Sequence, residues 1–291
     1  MSDKDNRVAA VTGAASGIGR ALALELAGRG VGLAVADINE RGVEETAALA
    51  RQQGVTATAT VLDVSERAAV IDWAEGVMTE FGAVDLLFNN AGVAQSGSVA
   101  GNGFDDYEWV MGINFWGVVN GTKAFLPLMR EAGRGHIVNI ASIFGVFAQP
   151  GMSTYNASKF AVRGFTESLR QELDILGGAI SATCVIPGGI RTGIAHSARM
   201  SPSLAEIHGG PVDTDQIRDD FLNRLARTTP EQAARTILSG VERNARRVLV
   251  GADAKLLDLM QRLMPSAYQR LVTAAMRREA ARARRARQAP G

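Results

Sequence analysis

The sequence predicts an α/β fold: a doubly wound parallel sheet of about seven strands with helices on both faces, and a helical C-terminal extension. Three observations predict it. Short apolar runs alternate with longer stretches of helical period through most of the chain. A glycine-rich turn, Thr12 to Gly19, joins the first apolar run to the first helical stretch. The 291 residues are 46% hydrophobic, ample for a buried core and against global disorder.

The elements follow in order. Arg7–Val11 reads as the opening strand and Gly17–Arg29 as a helix. Gly32–Ala36 is a strand and Glu40–Gln53 a helix; Thr56–Leu62 is a strand and Ser65–Phe81 a helix with Ser65 as its N-cap. Val84–Asn89 is a strand, and Phe104–Glu131 a long helix. His136–Ala141, Ile180–Ile186 and Val248–Val250 are strands, separated by the helices Tyr155–Leu176 and Pro230–Asn244. Such alternation specifies parallel pairing with right-handed crossovers. Two stretches depart from it. Gly188 to Thr229 is a long connection rich in Gly, Pro, Ser and Asp, the kind that serves as a lid or binding loop. Residues 252–291 are helical and broken at Pro265. The organisation is therefore one domain, 1–251, with a lid at 190–229, and an extension, 252–291, of that same domain.

Charge and composition narrow the function. A formal net charge of +1 gives no reason to expect a nucleic-acid partner. Eight of the 31 basic side chains are arginines within 261–291, against one acid there, Glu279. That leaves 23 basic and 29 acidic side chains in residues 1–260. A solvated helix face is the ordinary reading of such a run, and contact with an anionic membrane surface the alternative. Leu256, Leu257, Leu259, Met260, Leu263, Met264, Leu271, Val272 and Met276 form apolar stripes that must be buried against something. The extension is thus expected to pack as helices to about Met276, with its arginine-rich end largely solvated. No apolar run reaches the ~18–20 residues of a membrane-spanning helix. The polar start Met1–Asp5 does not read as a secretory signal, so a cytoplasmic protein is expected. Cys184 is the single cysteine and reads as a buried strand residue; His136, His196 and His208 have no ligand spacing, so no metal site is expected. His136 reads as structural, and His196 lies in the lid.

The turn Thr12-Gly13-Ala14-Ala15-Ser16-Gly17-Ile18-Gly19 has the spacing G-x-x-x-G-x-G. Glycine permits the tight turn and lets backbone approach a phosphate, and the helix N-terminus beyond it offers unpaired N–H groups. Gly13, Ser16, Gly17, Ile18 and Gly19 are therefore candidate dinucleotide contacts in a Rossmann-type arrangement. Asp37 ends the second strand, 18 residues after Gly19, where an acid hydrogen-bonds the adenosine ribose hydroxyls. Its charge repels a 2′-phosphate, so NAD is expected in preference to NADP. Arg20 and Arg41 are the nearest candidates for a phosphate contact, and a surface Asp capping the next helix is the competing reading. Asp63 and Val64 follow the third strand, and Asn90, Ala91 and Gly92 the fourth, at the carboxyl ends where open α/β sheets place ligands.

Ser142 ends the fifth strand, and Tyr155 and Lys159 lie four residues apart on one helix face. A Tyr hydroxyl, of ordinary pKa about 10, needs a neighbouring cation to act as a base near neutrality. An ammonium ~4 Å away at an effective dielectric of ~20 contributes roughly 4 kcal/mol, about 3 pK units before desolvation. Lys159 is placed to supply it.

Together these residues resemble the short-chain dehydrogenase/reductase family, over roughly residues 5–251. The glycine-rich turn, Asp63, Asn89–Gly92, Asn114, Ser142, Tyr155-x-x-x-Lys159 and Pro187-Gly188 stand in the family's order, with 13 residues from Ser142 to Tyr155. The resemblance implies hydride transfer between NAD(H) and a secondary alcohol or ketone. It implies Tyr155 as the acid/base, Ser142 on the reacting oxygen, and Lys159 lowering the Tyr155 pKa and holding the nicotinamide ribose. Asn114 would bend the 104–131 helix around a water of a proton relay. Pro187, Gly188, Ile190 and Thr192 would lie at the nicotinamide end. A homodimer or homotetramer, built through the 104–131 and Tyr155 helices, is also implied. The competing readings are an NADP(H)-preferring carbonyl reductase, an epimerase or dehydratase on the same fold, and a non-catalytic dinucleotide-binding regulator. Val93, Ala94, Phe144, Phe147, Gln149, Met152, Ile194 and the segment Ala195–Thr228 are candidate pocket walls. Mostly apolar, they favour an uncharged, fairly hydrophobic small-molecule substrate.

Overall fold

The computed structural model describes residues 7–220 and 226–288. The polar start Met1–Asp5, the lid residues 221–225 and the last residues, 289–291, lie outside the described residues. Chain order runs β1 (Val8–Thr12), α1 (Gly17–Ala27), β2 (Gly32–Asp37), α2 (Glu40–Gln52), β3 (Ala57–Val61), α3 (Arg67–Phe81), β4 (Leu86–Asn89), β5 (Gln95–Ser96), α4 (Phe104–Met111) and α5 (Gly117–Ala132). It continues with β6 (Gly135–Ile140), α6 (Ser153–Leu176), β7 (Ile180–Pro187), α7 (Ile194–Ser197), β8 (Arg199–Met200), α8 (Leu204–His208) and α9 (Thr214–Asp220). The last elements are α10 (Pro230–Glu242), β9 (Arg247–Val250), α11 (Ala252–Leu263) and α12 (Ala267–Gln288).

Seven parallel strands form one sheet in the order β3-β2-β1-β4-β6-β7-β9. Helices cover both faces, so the central strands are apolar along their length; every residue of β1 is buried. Leu22, Leu26, Val43 and Ile237 close one face from α1, α2 and α10. Val70, Trp73, Phe125 and Leu169 close the other from α3, α5 and α6. The register sets Val11 beside Phe88, Phe88 beside Val138 and Val138 beside Thr183. The segments that follow β1, β4, β6 and β7 therefore leave the sheet along one edge. The strand order reverses between β1 and β4, the switch point where open sheets leave a crevice.

Four details differ from the expectations. Ser65 is not the cap of α3, because its N–H and its hydroxyl both donate to Asp63 Oδ1, at 2.9 and 2.7 Å; Glu66 stands at the N-cap. The helix expected over 104–131 is split by a π-helical turn, Gly112–Trp116, between α4 and α5. Among the described residues the lid carries three short helices and β8, which pairs in parallel with β5 through Gln95 opposite Arg199. The extension packs only part of its apolar stripe: Leu257, Met260 and Val272 are partly buried against a cluster containing Ile143, Phe147, Val162 and Ile186. Leu256, Leu259, Leu263 and Leu271 are exposed. The described residues of its arginine-rich end are mostly exposed, with Ala280 and Arg284 lying against Gly209 at the end of α8.

Cys184 is fully buried in β7. His136, the second residue of β6, bonds Thr183 Oγ1 through Nε2 at 2.7 Å; burial, assisted by Arg170, holds its pKa down to about 4. Among the described residues, no helix is long and apolar enough to cross a membrane, and no cluster of His, Cys, Asp or Glu is placed to hold a metal.

Candidate active site

The glycine-rich turn is shaped by close approach. Gly13 and Gly17 adopt φ of +66° and +54°. A Cβ on Gly19 would lie 2.1 Å from Gly13 O, and one on Gly13 would lie 2.7 Å from Ala91 Cα. Thr12 ties the turn to the end of β4: its Oγ1 accepts from Asn90 N at 3.0 Å and Ala91 N at 3.1 Å. Asn90 Nδ2 answers by donating to Thr12 O and Gly13 O. Ser16 precedes α1 without a side-chain capping bond, so the first-turn N–H groups at Gly17, Ile18 and Gly19 face the crevice without that partner. Thr192, from the segment after β7, comes down on Gly17; a Cβ there would lie 3.0 Å from its Cγ2. This cradle of glycines and open N–H groups fits the pyrophosphate of a dinucleotide.

Asp37 is held by two backbone donors, Ala15 N to Oδ2 and Asn39 N to Oδ1, both at 2.9 Å. A carboxylate has about four lone-pair directions, so acceptor capacity remains for ribose hydroxyls. Arg20 is turned away from that role, because its guanidinium bonds Thr46, Gly42 O and Glu45 along α2. Arg41 lines a shallow hollow of about 390 Å³ together with Glu40 and Glu44. Asp63 is committed to Ser65, and Val64 is buried with its carbonyl accepting from Asn120 Nδ2 at 3.0 Å.

The other end of the crevice gathers Gly92, Asn114, Ser142, Tyr155 and Lys159. A Cβ on Gly92 would lie 3.2 Å from Asn114 Oδ1 and 3.4 Å from Lys159 Nζ. Asn114 sits in the π-helical turn, fully buried, and clamps the Val93 backbone: Oδ1 accepts from Val93 N at 2.8 Å and Nδ2 donates to Val93 O at 2.9 Å. Its second N–H reaches Ser158 Oγ, which itself donates to Tyr155 O at 2.8 Å. Both side-chain donors of Asn114 are thus in use, so any relay through this residue runs through its backbone. Ser142 caps a 3-10 turn, accepting from Phe144 N at 3.2 Å. Lys159 Nζ donates to Ile140 O at 3.0 Å and lies 5.7 Å from the Tyr155 ring centroid.

The electrostatics depart from the simple ion-pair expectation. Burial pushes the Tyr155 pKa up, and its Ser142 hydrogen bond offsets only part of that rise. Burial also lowers Lys159, to about 8. Both groups are deep enough for desolvation of the charged form to be the largest cause of each shift. In the protein alone, Tyr155 is a proton donor at neutral pH, not a phenolate.

Pro187 and Gly188 end β7, and Ile190 is clasped to Thr228 by a parallel bridge that joins the two ends of the lid. Thr192 N donates back to Ile190 O at 2.8 Å. Asp253, on the first turn of α11, holds this corner: its Oδ2 accepts from Gly189 N at 2.6 Å, and a Cβ on Gly188 would lie 2.2 Å from the same oxygen. Ala94, Tyr155 and Ala198 form a small apolar cluster with Phe144, Met152 and Ile194, which is the wall of the cleft beside Tyr155. Phe147, expected in that wall, turns instead toward Tyr268. His196 is exposed on α7, outside this cluster.

The chain matches the family described as short chain dehydrogenase over residues 7–202. It belongs to that family. This dehydrogenase is 47% identical over 274 residues to the oxidoreductase SadH of Mycobacterium tuberculosis, covering 94% of this chain and 96% of SadH. It is 32% identical to mouse estradiol 17-beta-dehydrogenase 11, covering 89% of this chain and 80% of that protein. A solved short-chain dehydrogenase/reductase from Burkholderia phymatum, in complex with NAD, superposes with a TM-score of 0.81 at 32% identity, over 92% of this chain and 97% of that one. The protein is thus an NAD(P)-dependent oxidoreductase acting on CH–OH groups. Thr12, Ser158 and Asp253 were not singled out from the sequence. Thr12 carries a signal there, a lone hydroxyl between an apolar strand and Gly13; Asp253 carries none, because its partner lies 64 residues away.

Proposed function

We propose that this dehydrogenase transfers hydride between NAD(H), in preference to NADP(H), and an uncharged, fairly hydrophobic secondary alcohol or ketone. The convergence of Ser142, Tyr155 and Lys159 at the carboxyl edge of the sheet, beside the apolar Ala94–Ile194 wall, carries this reading. NAD would be held by the Gly13–Gly19 turn, Asp37, Asp63–Val64, Asn90–Gly92 and the segment Pro187–Thr192, and when bound supplies the hydride acceptor or donor.

Tyr155 handles the proton at its hydroxyl oxygen. In reduction, the neutral phenol donates to the carbonyl oxygen as that oxygen gains charge. Ser142 keeps its proton and hydrogen-bonds the same developing oxyanion through its hydroxyl. In oxidation, the phenolate must first form, and Lys159 and a bound cationic ring favour it. The preference for NAD rests on Asp37 and on the commitment of Arg20 to α2. Steroid-like or acyl-chain alcohols suit the apolar wall of Ala94, Phe144, Met152, Ala198 and Ile194 better than a charged hydrophile does. The test is to follow nicotinamide absorbance with NADH or NADPH against a panel of ketones. Turnover with apolar ketones and NADH supports the reading; turnover confined to NADPH, or to charged ketones, contradicts it.

A further inference from the structure

We infer that the space between α8 and α12 is an outer compartment of the substrate site, that it holds the distal chain of an elongated uncharged apolar alcohol or ketone, and that Tyr268 fastens it to the loop before Tyr155. This rests on the reading that substrate reacts at Tyr155.

The space has a volume of about 400 Å³. Pro150, Ile207 and Met276 give it apolar walls, while Glu206, Arg277 and Arg284 put one negative and two positive charges on it. Ligand pockets are of this size and largely apolar character, and the uncharged chain is taken from the apolar wall beside Tyr155.

A narrow strip divides it from the inner cleft. Met152 belongs to the Tyr155 cluster and Pro150 to the outer wall, with Gly151 between them. Gly151 has φ +80°, and a Cβ there would lie 3.2 Å from Leu204 Cδ2 and 3.6 Å from Ile207 Cδ1. Gly97 N fixes the strip by donating to Gly151 O at 2.8 Å. Ile207 lies beside the strip at Gly151 and shares the outer wall with Met276, so the two compartments meet across residues 150–152.

The same helix holds both walls. At its first turn, Tyr268 is 4% exposed and its ring lies 4.4 Å from that of Phe147, centroid to centroid. Its hydroxyl accepts from Ala148 N at 3.2 Å, on the loop joining Ser142 to Tyr155. Further along, Ala280 and Arg284 lie against Gly209, which ends α8. Tyr268 and the distal half of α12 therefore set the distance between loop and lid. Both lie beyond residues 7–202, the segment that matches the family.

The test compares butan-2-one with undecan-2-one, with NADH as donor. The longer ketone should show a KM at least about tenfold lower, since each buried methylene adds affinity. Ile207→Asp and Met276→Asp should erase most of that ratio. Tyr268→Phe keeps the ring on Phe147 and removes the hydroxyl; it should raise the KM for undecan-2-one severalfold, leave NADH affinity intact, and speed hydrogen exchange at the Ala148 amide. Leu259→Asp, on the exposed face of α11, is the control and should keep the ratio. Saturation-transfer NMR of undecan-2-one on the enzyme–NADH complex reads the compartment without turnover. Binding abolished by Met276→Asp, with neither ketone reduced, would uphold the compartment and sink the assigned reaction. A KM ratio unmoved by both Asp variants would overturn the compartment, as would equal losses on both ketones with weakened NADH binding.

Discussion

Lys159 Nζ lies 5.7 Å from the Tyr155 ring centroid while donating to Ile140 O, the last carbonyl of β6. The sheet thus anchors the ammonium beside the tyrosine, and buries it far enough to lower its pKa to about 8.

Ketone reduction should therefore hold steady through neutral pH, where Tyr155 keeps its proton and Lys159 its charge. Above about pH 8 it should fall as Lys159 loses its charge. Lys159→Arg, which stays charged, should move that break to higher pH at reduced kcat. A pH profile of kcat/KM for both proteins checks this; a break that stays in place would remove Lys159 from the account.

Asp37 should impose at least a tenfold preference for NAD(H) over NADP(H), about 1.4 kcal/mol. Asp37→Ala should erode it mainly by weakening NAD(H) binding, and should also loosen the turn, since Ala15 N loses its acceptor. Fluorescence titration with both reduced cofactors reads the two effects. Equal wild-type affinities would contradict the prediction.

Asp253→Ala should leave Gly189 N without its side-chain acceptor. The segment through Ile190 and Thr192 then loses its anchor, so the KM for NADH should rise several-fold with a smaller change in thermal stability. Steady-state kinetics beside a melting curve separates the two. A large loss of stability with unchanged KM would make Asp253 a fold residue only.

His136 supplies a stability prediction. Its folded pKa of about 4 lies below its ordinary 6.5, so the unfolded state binds more protons between those values. Its contribution is complete above pH 6.5 and lost as pH falls toward 4, about 3 kcal/mol in all. Urea unfolding at pH 7 and pH 4.5 should show a steeper loss in wild type than in His136→Gln.

Most of the sheet was legible because parallel strands buried on both faces must be continuous apolar runs, as β1 and β2 are. The glycine-rich turn was legible because only glycine admits its contacts. The lid helices were not: α7, α8 and α9 are short, and α8 is held by α12 and not by its own propensity. The sign of the Tyr155 shift was hidden for a related reason. Spacing placed Lys159 beside it, but the depth of burial that raises its pKa belongs to the assembled core. Asp253 and Tyr268 act on Gly189 and Ala148 across 64 and 120 residues, a reach that no local pattern encodes.

The central claim is that the Tyr155 hydroxyl carries the proton. Rapid mixing of the enzyme–NADH complex with an apolar ketone, in wild type and Tyr155→Phe, tests it most directly. Hydride transfer should slow by roughly 10²–10⁴ in the variant, with the NADH dissociation constant unchanged, because the ring remains and only the hydroxyl is lost. Hydride transfer at a near wild-type rate in Tyr155→Phe would contradict the account.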